Sequence, residues 1–205
     1  MLDHIVFAVP DLAGAVAGFE RLTGVRPVRG GSHVGLGTAN HLVGLGGAAY
    51  LEIIGPDPDQ PDPVQPRPFG IDGLTASRVV TWSIRPPDLD HAVAAVIARG
   101  YDPGPPRTMS RRTSDGNLLT WRLTPGADDP ADGLVPFLID WGTTAHPTTG
   151  ALPTLPLRSL QAQHPDPGPV RKSLAALDVD LLVGLGRQSQ LVVTLQGPDR
   201  PIVLS

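Results

Sequence analysis

Apolar positions along the chain change their period at regular points. In "DHIVFAV" and "VVTWSI" they run almost unbroken, as in buried strands. Each run is followed by an Asp and then by apolar positions at helical spacing: Leu12, Val16 and Phe19 in the first case, Leu89, Val93 and Val96 in the second. Asp11 and Asp88 are natural N-caps, since a short carboxylate can accept from an orphan amide of the first turn. The two helix starts repeat, "PDLAGAV" from Pro10 returning as "PDLDHAV" from Pro87, an offset of 77 positions. After each helix come strand candidates punctuated by glycine. In the first copy these are Val28 to Val34, Gly37 to Leu45 and Ala49 to Ile54; in the second, Thr108 to Arg112, Asn117 to Leu123 and Val135 to Trp141, with Asp115-Gly116 as a turn. The repeated unit is β-α-β-β-β.

The repeat predicts an α+β fold of two paired βαβββ modules, 1–55 and 78–142, joined by a Pro-rich connector, 56–77, that should be extended and semi-rigid. After a loop at 143–156, residues 157–205 read as a partial third βαββ unit. It has a strand "LRSLQAQ", a helix from Pro167 to Leu177, a hairpin "DLLVGLG…SQLVVTLQG" and a last strand "PIVLS". An isolated piece of that size would be marginal, so it should pack on the other two.

Composition narrows the function. The chain has 205 residues, 40% of them hydrophobic, and its 24 glycines and 24 prolines sit between apolar runs, which is the pattern of many short elements joined by turns. The formal charge of −4 comes with no basic cluster, so nucleic acid is not an expected partner. There is no basic leader and no stretch of about 18 apolar residues, so neither export nor a membrane span is expected and a cytoplasmic protein is. Without cysteine, only His, Asp and Glu remain as strong metal ligands. No Gly-x-Ser-x-Gly elbow supports a nucleophile, and no helix follows "GGSHVGLGTAN" to make it a phosphate loop.

One carboxylate stands out. Glu52 lies inside "GAAYLEIIG", which otherwise reads as a buried strand, and burying an unpaired carboxylate costs several kcal/mol. If Gly46-Gly47 is a two-residue turn, Leu45 faces Ala48 and His41 falls directly opposite Glu52. A three-residue turn would instead bring Asn40 to that face. His33, in "GGSH", is another nearby polar candidate. In the second unit, whichever of Arg111 and Arg112 points inward could hold a substrate carboxylate by a bidentate contact. Trp82, Trp121 and Trp141 should form the core of that unit, with at most one also lining a pocket. His91, His146 and His164 read as loop or surface residues.

The stretches "LDHIVFAVPDL", "GGSHVGLGTANHLVGLGGAAYLEIIG", "RRTSDGNLLTWRL" and "VPFLIDWG" together resemble the glyoxalase-like branch of the vicinal oxygen chelate superfamily. That resemblance implies a curved-sheet cup that binds a small oxygenated molecule, with a divalent metal such as Zn, Mn or Fe held by His or Glu from four strand positions. His4 matches the first ligand and Glu52 the second; His41 would complete a two-His, one-carboxylate set. Asn40, which the family pattern favours, His33, Arg111 and Arg112 would then contact substrate. The second unit departs from the pattern, with Thr81 and Ile139 where the remaining ligands belong and Asp140 one residue off. Two function classes follow. One is a metal-dependent isomerase, lyase or dioxygenase, with Glu52 a candidate catalytic group. The other is a non-catalytic binding protein of the bleomycin-resistance type. A homodimer is a possible assembly.

Overall fold

The computed structural model describes residues 1–113, 116–125 and 132–205. The expected turn at Asp115-Gly116 begins outside the described residues. The first module runs β1 (Leu2–Ala8), α1 (Leu12–Thr23), β2 (Val28–His33), β3 (Thr38–Gly46) and β4 (Ala49–Pro56). The second runs β5 (Arg78–Ile84), α2 (Leu89–Ala98), β6 (Arg107–Arg112), β7 (Leu118–Leu123) and β8 (Phe137–Asp140). Both helices start as the sequence predicts. The Asp11 carboxylate accepts from the amide of Gly14 at 3.0 Å, and that of Asp88 from the amide of His91 at 2.9 Å. Helix α1 ends at Gly24, whose φ of 72° supplies the left-handed turn that glycine makes cheaply.

Among the described residues, eight strands close a barrel in the order β1-β4-β3-β2-β6-β7-β8-β5. Within each module the first and last strands pair in parallel, β1 with β4 and β5 with β8. The modules meet along the antiparallel β1–β5 seam and through the pair Ser32–Arg112 between β2 and β6. Helix α1 buries Leu12 and Phe19 on the outside of this wall, and Gly55 makes the close approach possible. A Cβ there would come within about 3 Å of Val9 and Leu12.

The third unit comprises β9 (Leu157–His164), α3 (Pro167–Ala176), β10 (Leu182–Leu185), β11 (Gln190–Gln196) and β12 (Pro201–Leu204). Its elements fall where the sequence places them, but its pairing differs. The sheet order is β10-β9-β11-β12, so the expected hairpin between β10 and β11 does not form. Instead β10 pairs in parallel with β9, and β11 antiparallel with the other edge of β9. The buried Leu191, Val193 and Leu195 belong to one apolar cluster with Ile5, Leu51 and Val79 of the barrel. Removing that face from water is what holds the third sheet in place.

Candidate functional site

A cavity of about 90 Å³, open on one side, lies within the barrel and is lined by both modules. From the first come His4, His33, Asn40, Tyr50 and Glu52; from the second, Met109, Arg111, Trp121, Phe137, Ile139 and Trp141. Pro68 and Phe69, from a 3-10 turn in the connector, also border it.

Register decides which side chains reach this space. The β3–β4 hairpin pairs Gly46 with Ala49, but a shift between Gly44 and Gly46 leaves Leu45 as an extra residue. Beyond it Leu42 faces Glu52, and His41 faces Ile53. Because side chains alternate along a strand, this extra residue turns His41 to the outer face and Asn40 inward. The two-residue register that would set His41 against Glu52 is therefore not the one adopted. His41 sits half-buried outside, its pKa lowered by burial and then by Arg29 and Arg26.

Asn40 donates from Nδ2 to Glu52 Oε1 at 2.5 Å. Glu52 lies between two histidines, with Oε2 3.8 Å from His4 Nε2 and Oε1 3.7 Å from His33 Nε2. His33 is anchored through Nδ1, 3.0 Å from Thr38 Oγ1. Burial lowers its pKa, and the charge of Arg111 adds to that against the opposing pull of Glu52. It is therefore neutral at pH 7.

Of the two adjacent arginines, alternation sends one in and one out. Arg112 is exposed and donates to the Gly116 carbonyl at 2.9 Å. Arg111 is only 5% exposed, and its Nη1 has no hydrogen-bond partner. Burial lowers its pKa, opposed by Tyr50 and Glu52, and a guanidinium remains charged all the same. The backbone at Gly30 and Gly31 makes room for this head. A Cβ on Gly30 would lie 2.8 Å from Arg111 Nη1 and 2.3 Å from Asn40 Oδ1. Asn40 Oδ1 and the indole Nε1 of Trp121 are buried and unpartnered as well.

Behind His4 stands a residue that the sequence reading passed over. Asp3 is fully buried; its Oδ1 is 2.7 Å from His4 Nδ1, and its Oδ2 is 3.1 Å from both Trp141 Nε1 and His146 Nε2. Burial alone would raise its pKa, but the hydrogen bonds from His146 and His4 work against it, and the carboxyl stays well below the usual range. His146, expected at the surface, is thus an internal partner. Trp121 and Trp141 both border the cavity, where at most one was expected, while Trp82 is core and donates to the Leu134 carbonyl at 2.8 Å. Like Glu52, Asp3 is an acid within an apolar strand, "LDHIVFA", and that pattern marks it in the sequence. Nothing local points to His146, which lies 143 residues from Asp3.

Ile139 lies in the cavity wall, whereas Thr81 pairs with Val6 farther along β5, and Asp140 turns away to accept from the Gly142 amide. Among the described residues, no group of three or more His, Asp or Glu side chains is placed to share a metal ion. Asn40 Nδ2 already occupies a lone pair of Glu52, and the guanidinium of Arg111 puts a fixed positive charge in the same cavity. As placed, these side chains do not fit a resident divalent cation.

A closed barrel of paired βαβββ modules around a largely apolar cavity with a few polar groups defines a vicinal-oxygen-chelate-type protein. A family model described as a glyoxalase-like domain matches residues 2–177. The chain belongs to that family. No curated protein sequence gives a significant match. Among solved structures, a hypothetical protein from Staphylococcus aureus superposes with a TM-score of 0.61 at 14% identity, over 98% of this chain and 83% of that one. The methylmalonyl-CoA epimerase from Mycobacterium tuberculosis gives 0.41 at 19% identity, over 67% and 84% of the two chains. A variant of the Streptomyces coelicolor methylmalonyl-CoA epimerase, in complex with 2-nitronate-propionyl-CoA, gives 0.45 at 18%, over 72% and 98%. Only the first of these likenesses speaks to the fold. No helix among the described residues is long and apolar enough to cross a membrane.

Proposed function

We propose that this protein binds a small carboxylate in the barrel cavity, with Arg111 taking the anion, and that binding needs no resident divalent metal. The observation that carries this is the unpaired, buried guanidinium of Arg111, which shares a cavity with Glu52 without forming an ion pair to it. A buried charge left without a partner costs several kcal/mol, so a fold that keeps one has a use for it. A carboxylate meets Arg111 with charge-assisted bonds and offers an acceptor to the idle indole N–H of Trp121.

Cavity size separates this from drug sequestration. About 90 Å³ is well below the 300–1,000 Å³ of pockets for drug-sized ligands, which favours a small ligand over a bulky molecule of the bleomycin type. The isomerase, lyase and dioxygenase alternatives all need a metal to polarise adjacent oxygens, and the donor set does not supply its site. One observation favours that second reading: a carboxylate behind a histidine, as Asp3 stands behind His4, also backs metal-bound histidines.

Calorimetric titration of acetate and propionate, on protein purified with and without chelator, tests the proposal. Binding should be the same in both preparations. Arg111→Met should weaken it by about 2–4 kcal/mol, roughly 30- to 1,000-fold, while melting no lower than the parent. Elemental analysis showing one metal per chain, lost in His4→Ala and Glu52→Ala, would restore the metal-dependent reading. Carboxylate affinity unchanged by Arg111→Met would overturn the anion site.

A further inference from the structure

Arg111 accounts for the anionic end of a ligand; the facing wall decides what lies beside it. Asn40 gives one amide hydrogen to Glu52 and keeps Oδ1 as a buried acceptor with no donor. An ionised Glu52 can only accept. His4 is the undecided member, because a neutral imidazole donates from one nitrogen and accepts at the other.

Asp3 decides it. The indole of Trp141 can only donate, and His146 also presents a donor: its Nδ1 accepts from the Thr148 amide at 3.2 Å, which places its proton on Nε2. Both donors meet Asp3 Oδ2, with Arg85 Nε 3.7 Å away, so Oδ1 remains an acceptor for the proton on His4 Nδ1. The lone pair of His4 then sits on Nε2, facing the cavity. Its neighbour there, Glu52 Oε2 at 3.8 Å, is beyond hydrogen-bond distance.

We propose that Asp3 is a positioning residue that fixes His4 as an acceptor, and that the cavity therefore prefers a short 2-hydroxy carboxylate over the 2-oxo acid of the same carbon skeleton. Its hydroxyl donates to the wall of His4 Nε2, Glu52 and Asn40 Oδ1; an oxo group would set acceptor against acceptor. A cavity of about 90 Å³ suits a ligand of a few heavy atoms. This rests on the carboxylate reading of Arg111.

Titrating the full chain with lactate, pyruvate and propionate at one pH tests it. Lactate should bind roughly tenfold tighter than either of the others, the value of one hydrogen bond made without loss elsewhere. Equal affinities would overturn the hydroxy-acid preference and leave the carboxylate site standing; failure of all three to bind would overturn both. In Asp3→Asn, Trp141 and His146 keep the amide oxygen on their side, and the amide nitrogen turns to His4 Nδ1. The proton moves to Nε2, and the preference should pass to pyruvate; an unchanged preference would overturn the role of Asp3. If that variant does not fold, nitrogen NMR of the unaltered protein, with His4 assigned from His4→Gln, gives the answer directly. A protonated Nδ1 and bare Nε2 support the proposal, and the reverse tautomer overturns it.

Discussion

The first module faces the cavity with His4, His33, Asn40 and Glu52, while the second faces it with Met109, Trp121, Phe137, Ile139 and a single cation, Arg111. Both modules order their strands alike, with first and last strands parallel, and each starts its helix from an Asp cap. Duplication has therefore supplied symmetric walls, and substitution has separated their chemistry into acceptors on one side and donors on the other. What the difference teaches is that half a ligand set need not be a damaged metal site. On the proposed carboxylate reading, the opposite charges held apart across the cavity would serve a molecule with both characters.

The most disruptive way to test the asymmetry is to undo it. Ile139→Glu puts a second carboxylate into the cavity that holds Glu52, and should cost about 3 kcal/mol of stability in chelated buffer through burial of an unpaired charge. Zn(II) or Mn(II) should restore part of that loss through binding to the folded state, seen as a concentration-dependent melting temperature. A variant as stable as the parent without metal would mean that position 139 does not look into the cavity.

A smaller effect comes from pH. Burial holds the pKa of His33 below its ordinary 6.5 in the folded state, so as pH falls through 6.5 the unfolded chain takes up a proton that the folded chain refuses. This contribution to stability is complete above 6.5 and declines on the acid side until the folded pKa is reached. His33→Gln should flatten the urea-midpoint profile on the acid side of 6.5, and a profile unchanged by the substitution would mean that His33 is not the group responsible. Asp3 has the sign usual for a carboxylate. Its support is intact above about pH 4 and is lost only as the pH falls toward its depressed folded value, so the two groups act in separate ranges.

The smallest effect on stability should be the most specific for binding. In Gly30→Ala the new methyl presses on the ends of two side chains, Asn40 and Arg111, which can yield. Stability should fall by less than about 1 kcal/mol while carboxylate affinity falls roughly tenfold, because both walls of the site are displaced at once. A loss of stability with affinity intact would show that the glycine serves the strand and not the site.

How far the sequence reads is uneven for physical reasons. Helix caps, strand positions and the module repeat depend on neighbours a few residues apart, and they lie where periodicity places them. Glu52 and His4 were visible because polar residues in apolar strands demand partners. The identity of those partners was not visible: Asn40 or His41 hung on one extra residue in a hairpin, and His146 reaches Asp3 only through the closure of the barrel. The third sheet shows the same limit, since its elements are local while the choice of β9 over a hairpin partner for β10 is not.

That extra residue, Leu45, has a meaning for descent. Which polar atom meets Glu52 is set by chain length in the β3–β4 hairpin and not by the residues that would serve as ligands. Removing one residue between the bulge and His41, Leu42 or Val43, with the bulge kept, would set His41 opposite Glu52 on the inner face and carry Asn40 out. A single in-frame codon deletion thus separates the present cavity from one with a further imidazole. Such a change would be invisible to a comparison that aligns ligands column by column.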